Sequence, residues 1–243
     1  MITRKNFIAL ILLLMFFTIS IIAQQKNDVY NFPIKPGMLE WKELKTHDEM
    51  LKVLQLPSRV MKSISTSSLV MTCLNYPLFS DMWAYNNIKE GFEQLRKDFN
   101  ELVNRKDALA ELLKFYEKMD PDAIDERSTL LDKGRYTAEL CKLEIILTQP
   151  ELYKNSSSQL RRSLLKEILI KHDKMLDHDE YDMRSIESNI FLMGNILRGS
   201  NFTSKLSISK NKKVNYFINT SMFVDKDIIK EIVSLSKELF NNQ

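Results

Sequence analysis

Each of the three histidines is followed by an aspartate: His47-Asp48, His172-Asp173 and His178-Asp179. A His-Asp pair on a helix, joined by further His and Asp ligands, can hold a metal ion that activates water for hydrolysis. A metal-dependent hydrolase would draw on His47, His172, Asp173 and His178, and would need His172 or His178 to converge with His47. Adjacent residues on a helix point about 100° apart, so shared ligation needs a special arrangement. The plainer reading puts these residues at solvated helix ends. Residues 171–182 (KHDKMLDHDEYD) pass from a helix into an acidic connection, and Thr46 is a helix start at which Asp48 suits the helix dipole.

Little else in the chain carries a recognisable reaction. There is no Gly-rich phosphate loop, Gly-x-Ser-x-Gly elbow, His-Glu-x-x-His pair or Cys-x-x-Cys. The carboxylates lie beside lysines at i+3 or i+4, the spacing of solubilising pairs, and no two of them stand out as a glycosidase-type acid and base. The balance leans away from an enzyme, with no cofactor expected. A binding surface has better material in Trp83, Tyr85, Asn86 and Asn87, flanked by Phe79 and Phe92. Aromatic and amide side chains together suit sugar or peptide recognition, by stacking and paired hydrogen bonds. The other reading, which Phe92's place in an apolar stripe favours, is a helix-pair core in which the asparagines cap or bridge backbone, and Phe92 should be buried and inaccessible to any ligand. Lys205, Lys210, Lys212 and Lys213 lack interleaved aromatics and read as a solvated basic loop.

The elements that must position these residues are helices. Five glycines and six prolines in 243 residues leave few of the turn signals that β-proteins need. Ile88, Phe92, Leu95, Phe99 and Leu102 advance by four and three, the period of one helix face. Similar stripes run through Leu109–Tyr116, Tyr136–Leu147, Leu160–Leu169, Ile186–Leu197 and Ile228–Leu239, the last with Asp225 as its N-cap. Pro77, Asp120-Pro121, Pro150 and Gly199 punctuate them. The expected fold is all-α: antiparallel helical hairpins stacked in an irregular, α-solenoid-like helical-repeat array. It forms a single domain over 46–243, preceded by an extended leader at 24–45. The leader's Phe32 and Trp41 should lie against the first helices. A polar loop is expected at about 200–213, followed by a short extended segment at 214–223.

The first residues indicate a compartment. Arg4 and Lys5 precede seventeen largely apolar residues ending at Ala23, and a polar run follows abruptly. That is the order of a secretory signal peptide over 1–23, implying a secreted or periplasmic protein. The competing reading is an uncleaved anchor, for which seventeen residues is the bottom of the range that spans a bilayer. No later segment reaches 18 uninterrupted apolar residues, so no membrane span is expected after cleavage. Without Arg4 and Lys5, 33 basic residues face 32 acidic ones, a net of +1 that gives no general attraction to nucleic acid. In an oxidising compartment Cys73 and Cys141 could form a disulfide, or simply be two small buried hydrophobes.

Several stretches carry a family resemblance: Lys35-Pro36-Gly37, Glu40-Trp41-Lys42, Glu49-Met50-Leu51, Thr72-Cys73-Leu74-Asn75-Tyr76-Pro77-Leu78, and Ala84-Tyr85-Asn86-Asn87 with Gly91-Phe92. With weaker echoes to Leu197, the chain resembles a group of uncharacterised exported helical proteins of the Bacteroidetes. Leu54 stands where similar sequences often carry cysteine. The resemblance implies export and a helical fold, and names no activity. The expected function is a non-enzymatic binding or scaffold protein whose partner is another protein or a cell-envelope component.

Overall fold

The computed structural model describes residues 28–154, 156–200, 206–222 and 226–242. The expected signal peptide over 1–23, residues 201–205 of the expected loop and the expected cap Asp225 lie outside the described residues. Among the described residues every regular element is helical, and no helix is long and apolar enough to cross a membrane.

The leader is held by its own polar groups. Asp28 accepts hydrogen bonds from Ser65 N at 3.1 Å and from the Ser68 hydroxyl, which lowers its carboxyl pKa. Tyr30 N donates to Thr72 Oγ1 at 3.0 Å, and Phe32 is buried edge-on to Tyr76. Pro36 and Gly37 form a tight turn closed by Met38 N on Lys35 O, with Gly37 at φ +97°. Only glycine takes that angle without strain. The expected extended leader then gives way to a helix, α1 (Leu39–Glu43), because LEWKE contains neither glycine nor proline.

Short side-chain caps start most of the following helices. Thr46 and Glu49 close a capping box on α2 (His47–Val53), as Thr46 led one to expect. After α3 (Ser58–Ser63), Ser65 caps α4 (Thr66–Leu74). Asn87 Oδ1 accepts from Glu90 N at 2.8 Å to start α5 (Ile88–Asn104), and α6 covers Ala108–Lys118. Thr129 caps α7 (Leu130–Leu147) and Ser157 caps α8 (Ser158–Met175). Next comes α9 (Met183–Gly199), which ends at the expected glycine. The proline breaks become short 3-10 turns at Phe79–Ala84, Pro121–Glu126 and Pro150–Tyr153.

The greatest departure lies at 200–223. In place of a loop and an extended segment, Ser207 caps α10 (Ile208–Thr220), and α11 (Lys226–Asn241) completes the chain. Val214, Phe217 and Ile218 stand at i, i+3 and i+4, and all three are buried. That helical stripe outweighs the lysines, which point away from it. The helix stops at Ser221, whose φ of 56° is left-handed.

Two close approaches fix the packing. A Cβ on Gly91 would stand 1.9 Å from Met82 O, so α5 rests directly on the 79–84 turn, where Phe79, Phe92 and Phe99 cluster. A Cβ on Gly194 would meet Ile218 at 2.8 Å, where α9 crosses α10. Helix α7 packs against α4, α5, α6 and α9, and α9 packs in turn against α8, α10 and α11. These contacts join helices one to three places apart in the chain. The pair α5 and α10 spans five places, and Lys89 N donates there to Ser221 Oγ at 3.4 Å.

Candidate functional site

A buried polar hub sits where α6, α7, α8 and α9 meet. Tyr116 Oη donates to Glu144 Oε1 at 2.8 Å, and Asn189 Nδ2 donates to the same oxygen at 2.9 Å. Ser188 Oγ contacts Glu144 Oε2, with Ser185 O at 3.0 Å and Cys141 Sγ at 3.4 Å. Because Asn189 presents its amide nitrogen to Glu144, its Oδ1 faces His172 Nδ1 at 3.1 Å, which assigns the ring proton to Nδ1. Lys171 Nζ lies over the Tyr116 ring, 4.8 Å from its centre, and 3.4 Å from Glu167 Oε2. The single Ser188 proton faces two oxygen acceptors, Glu144 Oε2 and Ser185 O, besides the weakly accepting Cys141 Sγ. A proton on Glu144 resolves that conflict, since Glu144 can then donate to Ser188 while Ser188 donates to Ser185 O. Burial pushes Glu144 in the same direction, to about 7, and raises the Cys141 thiol to about 12. It also pulls His172 and Lys171 down. Glu144, Ser188 and Asn189 are wholly covered, so the hub orders four helices and no substrate reaches it.

The second polar region is open. At one end of the bundle a cleft of about 780 Å³ is bounded by α5, the end of α7, the 150–153 turn, the start of α8, and the ends of α9 and α11. Phe92, Ile145, Leu165, Phe191, Ile196 and Leu239 supply its apolar surface, and Lys89, Arg96, Arg161 and Arg198 its cations. Among the described residues Glu93 is its one acidic lining residue, and it sits 3.6 Å from Arg96. The volume falls within the roughly 300–1,000 Å³ of small-ligand sites, and an apolar surface with a few charged groups is their usual make-up.

The residues singled out from sequence are distributed otherwise. Trp83 is half-buried against the core and Tyr85 is exposed. Asn87 caps α5, and Asn86 Nδ2 donates to Glu90 Oε2 at 3.2 Å. The two amides therefore serve the helix start. Phe92 is 1% exposed, as expected, yet it also reaches the cleft wall, which its place in the stripe did not reveal.

The histidines do not come together. His47 pairs with Asp81 at 2.9 Å, His172 joins the buried hub, and His178 pairs with Asp122 at 3.0 Å, while Asp173 takes Lys237 at 3.1 Å. No group of three or more His, Cys, Asp or Glu among the described residues is placed to hold a metal ion. The disulfide option is also not taken up. Cys73 and Cys141 are both buried thiols, and Cys141 Sγ faces Ser188.

Sequence reasoning missed both polar regions. The hub left a faint signal, because Glu144 falls on the Leu140–Leu147 apolar stripe, where a carboxylate must find donors. The cleft left none, because its walls come from segments as far apart in the chain as Lys89 and Asn242. No family model, curated protein or solved structure matches the chain.

Proposed function

We propose that the chain is an exported, non-enzymatic binding protein whose ligand site is the end cleft. The observation that carries this reading is the pairing of an apolar surface with a cationic rim in one concavity of ligand size. Export is inferred from the basic, apolar and Ala-ending order of residues 1–23, and places the partner among components of the cell envelope or its exterior. Helix contacts mostly one to three places apart support a stacked-hairpin array, with the α5–α10 contact as the feature that bends it back on itself.

Nuclear magnetic resonance of the mature chain with small organic probes such as phenol and isopropanol tests the site. Shift changes should gather on Phe92, Leu165, Phe191 and Leu239. Changes scattered over the surface, or gathered at Trp83 and Tyr85, would move the site elsewhere. N-terminal sequencing of exported protein tests the compartment: it should begin at Gln24, and full-length protein in a membrane fraction would make the segment an anchor.

A further inference from the structure

We propose that the cleft takes an amphiphilic anion, with an apolar body on its floor and a single negative head at the cationic rim. This rests on the reading of the cleft as the binding site and adds the ligand's chemical class. The inference comes from which polar groups around the cleft are already occupied.

The helix-end carbonyl acceptors are occupied. Three helices end here, and such ends leave carbonyls that need donors. Ile145 O is met by Thr148 Oγ1 at 2.7 Å, Leu147 O by Tyr153 Oη at 2.5 Å, and Leu197 O by Ser200 Oγ at 2.7 Å. Phe240 O takes Arg162 at 2.7 Å. Arg96 is neutralised by Glu151 and Glu93. One Glu151 oxygen lacks a donor, but Glu151 does not line the cleft.

The donors are in excess. Among the described residues neither Lys89 Nζ nor the Arg161 guanidinium has a hydrogen-bond or ion-pair partner. Among the described residues Arg198 meets only the neutral Asn219 Oδ1, at 2.8 Å, and no carboxylate offsets its partial desolvation. A guest completes this set by bringing the missing acceptor and negative charge, while Phe92, Leu165, Phe191 and Leu239 offer an apolar bed that a small inorganic anion would leave unused. Charge-assisted hydrogen bonds supply the discrimination for the head, and buried apolar area supplies affinity for the body.

Isothermal titration of the mature full chain with decanoate, decanol and decyltrimethylammonium, each below its micellar concentration, separates these parts. Decanoate should bind at least about tenfold more tightly than decanol, and decyltrimethylammonium not at all. The double variant Lys89→Gln/Arg161→Gln should keep its melting temperature and its decanol affinity, and lose about tenfold or more in decanoate affinity. Equal binding of decanoate and decanol, or a double variant that holds decanoate as tightly as the wild type, overturns the ligand class and leaves the cleft as a site. Failure of all three probes to bind overturns both. An anionic phospholipid offers the same chemistry in a bilayer. Sedimentation with phosphatidylglycerol vesicles but not phosphatidylcholine vesicles, in a protein that leaves decanoate unbound, would overturn the proposal in favour of a membrane surface.

Discussion

The Glu144 hub and the end cleft draw on the same three helices, α7, α8 and α9, yet they dispose of polar groups in opposite ways. In the hub, Tyr116, Ser188, Asn189 and His172 satisfy one another with water excluded. At the cleft the carbonyl ends are capped, while Lys89 Nζ and the Arg161 guanidinium have no partner among the described residues. A closed network contributes to a unique packing and offers nothing to a guest. An open set of donors contributes little to stability and is available for recognition. Polarity alone therefore does not distinguish the two regions. The number of unmet partners does.

The comparison breaks most visibly at its buried end. Glu144→Ala takes the acceptor from the Tyr116 hydroxyl and the Asn189 amide in the core and leaves a cavity, while Ser188 keeps Ser185 O, so urea unfolding should show a loss of about 3–5 kcal/mol. A loss below about 1 kcal/mol would mean that water enters and the hub is not sealed. Phe92→Ala removes a ring shared by the core and the cleft floor. It should cost about 3–5 kcal/mol in unfolding free energy, and a variant melting like the wild type would undercut the stripe on which the helical reading of α5 rests.

The pH dependence sharpens the contrast further. Glu144 has its folded pKa raised from 4.5 to about 7. Its contribution is therefore fully present below about 4.5, is lost as pH rises from there to about 7, and is absent above. His172, pulled below 6.5 by burial, acts in the opposite sense and loses stability as pH falls. The informative quantity is the difference between wild type and Glu144→Gln. The melting temperature of the wild type relative to that of the variant should fall across pH 4.5–7, and a flat difference would show Glu144 ionised throughout. Trp83→Ala, at a half-buried position, should cost about 2 kcal/mol, roughly half the loss at a buried site. A fully stable Trp83→Ala protein would return that neighbourhood to the candidate binding surfaces. At the open end, Arg161→Gln should change stability by less than about 0.5 kcal/mol.

How far the sequence could be read depended on the range of the forces involved. The stripes from Ile88 to Leu102 and from Ile228 to Leu239 predicted α5 and α11, because a helix face is written at spacings of three and four. Pro77, Pro121 and Pro150 marked breaks for equally local reasons. The Val214–Ile218 stripe was legible in principle, but the run of lysines beside it obscured a helix whose burial depends on α9 and α5. The hub depended on Glu144 meeting Ser188 and Asn189, 44 and 45 residues away. The cleft depended on Lys89 and Leu239 sharing a wall. Neither long-range meeting has a spacing rule in sequence, whereas Asn87 is a local cap and Asn86 a local donor to Glu90.

The division of labour between hub and cleft is the central claim, and one paired measurement tests it most directly. Melting temperature and decanoate affinity would be recorded for Ser188→Ala and for Lys89→Gln/Arg161→Gln under one set of conditions. The account predicts that Ser188→Ala lowers the melting temperature and leaves decanoate affinity unchanged, while the double variant keeps its melting temperature and loses about tenfold or more in affinity. A Ser188→Ala protein that melts normally but no longer binds decanoate, or a double variant that loses stability and keeps its affinity, would contradict it.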